Sequence, residues 1–149
     1  MASTGSSRPA ADSRLVWLVA DLDRCFAREE QFEHALLIAN AVRWSLGGTP
    51  AVVLEGGHGL VTPTLYRQGK RQILHLNNRL LTSRVPGRQD ELVPVGPVTV
   101  RLRADSGTAP VQVELRVAGT RVVAQKDGAQ LVFVVDQILD HEVVVVDWT

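Results

Sequence analysis

Hydrophobic residues follow two different patterns in the first third of this chain, and each pattern predicts one element. A continuous apolar run at Leu15–Ala20 is typical of a strand that is buried on both faces. Across Phe32–Leu46 the apolar residues recur every three or four positions, which predicts a helix. Glycines at 47–48 and then Pro50 are expected to end that helix. Residues 14–48 are therefore predicted to form a strand, an acidic loop and a helix.

After Pro50 apolar and polar residues alternate, which is typical of strands with one buried face and one wet face. Short turn sequences such as Gly69-Lys70 and Asp127-Gly128 separate these segments. The predicted strands are Ala51–Leu54, Leu60–Arg67, Arg71–Asn77, Val98–Leu102, Val111–Val117, Arg121–Gln125, Leu131–Val135 and Glu142–Asp147. So many short strands suit a sandwich or a barrel. We predict a mainly β fold: an antiparallel β-sandwich of about seven to eight strands, preceded by one strand–helix unit.

Changes in composition divide the chain into three parts. Residues 1–13 are small, polar and proline-containing, which predicts a disordered tail. Residues 14–49 form the strand–helix part, and residues 50–149 form the β-sandwich. Because the first residues contain no apolar segment of the length found in signal peptides, we expect a cytoplasmic protein. No apolar segment is long enough to predict a membrane span.

Composition and charge narrow the classes of partner and cofactor. The 149 residues carry 16 Lys and Arg and 16 Asp and Glu, so the formal net charge is zero and no nucleic-acid partner is expected. The single cysteine, Cys25, excludes an internal disulfide and a multi-cysteine zinc site. No two of the four histidines have the helical spacing of a zinc motif. We expect neither a metal nor another cofactor.

Three residues are candidates for a ligand site. Asp21 and Asp23 follow the apolar run, and the carboxyl ends of parallel strands are where α/β folds bind ligands. Two such carboxylates can hold a divalent cation or transfer protons, but they are also ordinary residues before a helix. Trp148 could stack on a sugar ring or cap the sandwich. The other two tryptophans, Trp17 and Trp44, are expected in the core.

Four segments resemble the C-terminal region of β-galactosidase-like glycoside hydrolases, akin to glycoside hydrolase family forty-two. The segments are His34–Trp44, Val61–Asn77, Val95–Val98 and Ile138–Val143, and the similarity extends over about Arg14 to Val146. It implies that the strand–helix unit is the end of an α/β β-galactosidase trimerisation domain and that the β-sandwich follows it.

In that family a catalytic barrel comes first and carries the catalytic carboxylates. The chain has no room for such a barrel, which needs at least about 200 residues. No catalytic residue is therefore assigned to this chain.

Three functions stay open at this point. The first is a non-catalytic accessory or oligomerisation module, or a C-terminal fragment, of a glycoside-hydrolase-like protein. The second is a stand-alone carbohydrate-binding β-sandwich, and the third is a small enzyme that uses Asp21 and Asp23. The expected partners are a second copy or a catalytic hydrolase chain, bound through Leu15–Leu46, and a carbohydrate.

Overall fold

The computed structural model describes residues 14–18, 21–29, 31–80, 91–104 and 112–148. The chain divides into two compact units, Met1–Pro50 and Ala51–Thr149. The predicted tail at residues 1–13 and nearly all of the predicted loop at residues 82–91 lie outside the described residues.

The first unit contains two helices, α1 (Leu22–Glu29) and α2 (Phe32–Leu46). The helix predicted from the apolar spacing is α2, and it is confirmed. It ends at Gly47, whose φ of 65° is left-handed and whose N–H donates to the carbonyl of Trp44. Glycine suits this position because a side chain would strain the left-handed backbone.

The predicted strand at Leu15–Ala20 is wrong over the part that the structure describes. Residues 14–18 form no strand, and Leu15 and Trp17 have exposed fractions of 79% and 81%. A strand needs a neighbouring strand for its backbone N–H and C=O groups. The described part of the first unit contains no strand, so the apolar run has none to pair with there.

The predicted acidic loop is also wrong, because most of it is α1. The carbonyl of Asp21 accepts a hydrogen bond from the N–H of Cys25 at 3.0 Å, which closes the first turn. Leu22, Cys25 and Phe26 have the spacing of one helical face, and the many charges around them masked this pattern. Neither α1 nor α2 is long and apolar enough to cross a membrane.

The second unit is a β-sandwich, as predicted. Its described residues form nine strands: β1 (Val52–Gly56), β2 (Val61–Gln68), β3 (Arg71–Asn78), β4 (Val98–Arg103), β5 (Gln112–Leu115), β6 (Thr120–Arg121), β7 (Gln125–Asp127), β8 (Gln130–Val135) and β9 (His141–Asp147). One sheet has the order β1-β4-β8-β7 and the other β2-β3-β9-β5-β6, and every pairing is antiparallel.

The alternation of apolar and polar residues decides which face of each sheet is buried. Apolar residues at every second position point into the space between the sheets, because successive side chains of a strand point to opposite faces. The residues below 2% exposure are Leu74, Leu76, Val98, Val100, Leu102, Leu131, Val135, Ile138, Val144 and Val146, with Phe133 at 2%. The core therefore belongs to the second unit alone.

The predicted single strand at Arg121–Gln125 is divided in two. The chain leaves the five-stranded sheet after β6 and joins the four-stranded sheet at β7. The half-buried side chains of Val122 and Ala124 pack against the core while the chain passes between the sheets. The alternation of apolar and polar residues does not reveal this change of sheet. The apolar residues face the same core before and after the chain moves from one sheet to the other.

Candidate functional site

The structure places Asp21 and Asp23 at the start of α1, both exposed. An oxygen of Asp21 lies 2.6 Å from Nε of Arg24, one helical turn later. Carboxylates at this end of a helix are favoured by the helix dipole, which gives the pair a structural role. The predicted setting of a ligand site, at the end of a parallel strand, is not present in the described residues.

Trp148, the third sequence candidate, lies in the second unit and is only 9% exposed. Its indole Nε1 donates to Oε1 of Gln72, a side chain that is itself buried. Trp148 thus packs with the core cluster of the second unit. The three candidates do not share a unit.

The histidines and the cysteine are dispersed over both units. Within the described ranges, no group of three or more His, Cys, Asp or Glu side chains could hold a metal ion. His75 lies edge-on to the ring of Tyr66, with 5.5 Å between ring centroids, and His141 lies 3.4 Å from a carboxylate oxygen of Asp140. Cys25 is half-buried in α1.

The first unit carries an unusual amount of exposed apolar surface. Neither helix has a buried residue, although α2 contains only two formally charged side chains, Glu33 and Arg43. A helix that is apolar around most of its circumference is normally buried. We name the exposed apolar side chains of this unit the apolar surface; they are Leu15, Trp17, Leu18, Phe26, Phe32, Leu36, Leu37, Val42, Trp44 and Leu46. Trp17 and Trp44, expected in the core, belong to it instead.

Part of this apolar surface is an open groove between residues 16–18 and α2. The groove is lined by Val16, Leu18, Ile38, Ala41, Val42, Ser45 and Leu46. Beside it the guanidinium of Arg14 donates to the carbonyl of Trp44 and lies 5.7 Å from its ring centroid. The segment before α1 is thus held against α2 without covering the apolar side chains.

The outer face of the five-stranded sheet is a second candidate surface, which the sequence analysis did not single out. Strand register places Gln68, Arg71, Asp147 and Gln112 side by side across four strands, and we name them the polar row. The neighbouring apolar row consists of Tyr66, Ile73 and Val145, with Glu114 at its end.

The polar row, together with Ile73, Val145, Glu114 and Arg116, lines a shallow depression of about 290 Å³. Tyr66 is not part of this lining but lies beside Ile73 on the neighbouring strand. Nε of Arg71 donates to Oδ2 of Asp147 at 2.9 Å, and Nη1 of Arg116 donates to Oε2 of Glu114 at 3.0 Å. In the sequence, the only signal for this surface is the set of outward-facing positions that alternate with the buried positions along each strand. That pattern marks a wet face without telling which strands are neighbours.

The outer face of the four-stranded sheet carries a comparable group of ion pairs. Arg101 donates to Oε1 of Glu55 at 2.6 Å and to Oδ2 of Asp127 at 3.0 Å. The hydrogen bonds to Glu55 and then Asp127 raise the pKa of Arg101 above its ordinary value. Arg101 therefore offers a matched reference for the arginines of the other sheet.

Comparison with known proteins gives a likeness of fold. No family model matches the chain, and no curated protein matches it. Among solved structures it is similar to alpha-L-fucosidase isoenzyme 2 from Paenibacillus thiaminolyticus, with a TM-score of 0.67 and 23% sequence identity. The match covers 86% of this chain and 20% of that chain.

The second unit makes up only about two thirds of the chain, so the match includes part of the first unit as well. The chain spans about a fifth of the length of this enzyme. We conclude that the fold of this chain is similar to that of one part of this alpha-L-fucosidase.

Proposed function

We propose that this chain is a non-catalytic assembly module of a glycoside-hydrolase-like protein, and that two or more copies associate through the apolar surface of the first unit. One observation carries this proposal: α1 and α2 bury no residue, while the unit exposes large apolar side chains. Within that class, the segments quoted above favour the end of an α/β β-galactosidase trimerisation-type domain, followed by its β-sandwich.

The extent of the apolar surface supports association. Trp17, Phe32 and Trp44 are 81%, 69% and 54% exposed. An aromatic side chain has roughly 150–250 Å² to bury, so these three alone expose on the order of 400 Å². The aliphatic side chains of the apolar surface add to this area, and the largest contiguous apolar patch of a typical monomer is about 300–600 Å². A stable interface needs about 800 Å² on each partner.

The charges around the apolar surface favour a second copy as the occupant. The described part of the first unit carries four arginines, at positions 14, 24, 28 and 43, and four carboxylates, at positions 21, 23, 29 and 33. A rim that carries both signs can pair with itself in a symmetric dimer or a closed ring. A different partner that is recognised through its charge would instead require a rim in which one sign of charge dominates.

The non-catalytic part of the proposal rests on the resemblance. In β-galactosidase-like hydrolases the catalytic carboxylates lie in a barrel, and the segments quoted above resemble only the domains that follow that barrel. Asp21, the first residue of the enzyme alternative, is engaged with Arg24 at the surface of α1. We therefore expect no turnover of nitrophenyl α-L-fucoside or β-D-galactoside by the purified chain.

Sedimentation velocity over a range of protein concentrations tests the association. We expect the chain to sediment as an oligomer, and the variants Val42→Glu and Leu18→Asp to sediment as monomers, because each places a charge in the groove. Val123→Glu is the matched control, since Val123 is an exposed valine of the second unit. It should sediment like the unchanged chain.

Two results would overturn the proposal. A chain that is monomeric at every concentration would exclude a second copy as the occupant of the apolar surface. An oligomer that persists in both groove variants would place the interface elsewhere. Far-UV circular dichroism of each variant distinguishes loss of association from loss of folding.

A further inference from the structure

The outer face of the five-stranded sheet combines an apolar floor with a line of planar polar side chains. We infer that this face binds a neutral carbohydrate, with one sugar ring lying over Ile73 and Val145 and its hydroxyls toward the polar row. The inference goes beyond the assembly proposal and does not depend on it. The face belongs to the second unit, whereas the apolar surface belongs to the first.

The apolar row fits the C–H face of a sugar ring. Ile73 and Val145 are half-buried neighbours on β3 and β9, and they form the floor of the depression. Tyr66 lies opposite Ile73 on β2 and is 57% exposed. Its ring meets His75 edge-on, which limits the positions the ring can take. A partly immobilised aromatic ring loses little entropy when a ligand covers it.

The polar row fits the hydroxyl rim of the same ring. A sugar hydroxyl both donates and accepts, so it is best matched where donors and acceptors alternate. The row presents an amide, a guanidinium, a carboxylate and a second amide in that order: Gln68, Arg71, Asp147 and Gln112. The hydrogen bond from Arg71 to Asp147 holds two of these groups in place before a ligand arrives.

The charges around the depression indicate that the sugar is neutral. Arg71 is paired with Asp147, and Arg116 is paired with Glu114, so positive and negative groups are matched along the described lining. An acidic sugar would have to approach two carboxylates and compete for arginines that they already contact. The volume of about 290 Å³ is at the lower end of small-molecule sites, roughly 300–1,000 Å³, which suits one ring better than a long chain.

Titration of the ¹⁵N-labelled full chain with D-galactose, L-fucose, D-glucose and D-glucuronate tests this inference by NMR. We expect at least one neutral sugar to shift the amide signals of Arg71, Ile73 and Val145, and D-glucuronate to bind more weakly. Tyr66→Ala and Arg71→Ala should each raise the dissociation constant about tenfold or more. Arg101→Ala is the matched control, because Arg101 forms comparable ion pairs on the other sheet. It should leave the titration unchanged.

Three outcomes would overturn the inference: no shift with any neutral sugar, shifts confined to other surfaces, or binding that survives both Tyr66→Ala and Arg71→Ala. Tighter binding of D-glucuronate would contradict the assignment of a neutral ligand. Because the assembly proposal is tested by sedimentation and this one by titration, either can fail while the other stands.

Discussion

Trp148 donates its indole N–H to Oε1 of Gln72 at 2.9 Å, inside the core of the sandwich. The amide nitrogen of Gln72 donates in turn to the backbone carbonyl of Arg103 at 3.1 Å. Gln72 lies on β3 and Arg103 on β4, so this one side chain bridges the two sheets and also holds the end of the described chain. A buried glutamine is tolerated here because both ends of its amide have partners.

We expect Gln72→Leu to lower the free energy of unfolding by about 2–4 kcal/mol. Leucine is close in size, but it leaves a buried indole N–H and a backbone carbonyl without these partners, at about 1–3 kcal/mol for each unsatisfied group. Urea unfolding followed by far-UV circular dichroism measures the change. The control is Gln68→Leu on the exposed face, for which we expect at most about 0.5 kcal/mol. Equal midpoints for the two variants would refute a bridging role for Gln72.

Glu142 is a buried carboxylate, 3% exposed, that accepts three backbone hydrogen bonds. Val117 and Val143 donate to Oε1, both at 2.8 Å, and Ala118 donates to Oε2 at 3.0 Å. Glu142→Gln replaces one acceptor oxygen with an NH₂ group that faces a backbone donor. We expect a loss of about 2–3 kcal/mol in the free energy of unfolding.

Chemical denaturation at neutral pH measures this loss. The control is Glu114→Gln, which changes the same functional group in an exposed ion pair. This variant should lower the free energy of unfolding by less than about 1 kcal/mol. A Glu142→Gln protein as stable as the Glu114→Gln protein would show that the β5–β6 turn does not need the carboxylate.

Gly96 lies where a side chain has no room. A Cβ built at this residue would overlap the backbone oxygen of Asp136. Because backbone cannot move aside as a flexible side chain can, we expect Gly96→Ala to lower the free energy of unfolding by about 3 kcal/mol. Gly69→Ala is the control, since its Cβ would meet open space. There only the left-handed φ of 59° is strained, at about 1 kcal/mol.

Thermal unfolding compares the two glycine variants directly. We expect the unchanged chain to have the highest melting temperature, Gly69→Ala a lower one and Gly96→Ala the lowest. If the melting temperature of Gly96→Ala equals or exceeds that of Gly69→Ala, the close approach to Asp136 does not exclude a side chain at residue 96.

A fragment of residues 51–149 is expected to fold cooperatively without the first unit. Every buried hydrophobic residue of the described chain, from Val61 to Trp148, belongs to this unit. Far-UV circular dichroism and urea unfolding of the fragment check this, with the full chain as reference. A fragment that is unfolded, or that loses its cooperative transition, would contradict the independence of the sandwich core.

The elements predicted correctly are those whose pattern is local. The helix at Phe32–Leu46 and its end at Gly47 follow from apolar spacing and from the freedom of glycine at positive φ. Most sandwich strands follow from alternation, because one face of each is buried. The strand predicted at Leu15–Ala20 is wrong over its described residues, because an apolar run alone does not supply a neighbouring strand with which to pair.

The candidate surfaces also show that local sequence patterns do not reveal contacts between distant segments. Asp21 and Asp23 stood out because they are close in sequence, yet the structure places them at the start of a helix and not after a strand. The polar row drew no attention because Gln68 and Gln112 are far apart in sequence. Only the strand order β2-β3-β9-β5 makes them members of one row.

The sequence by itself determined the class of fold, the position of the long helix and which side of most strands faces the core. These properties depend on residues a few positions apart, which share a helical turn or the pleat of one strand. Tertiary structure alone decided which strands are neighbours, where the chain changes sheets and which apolar side chains stay exposed. Those outcomes depend on contacts between distant segments, and no local pattern of residues encodes them.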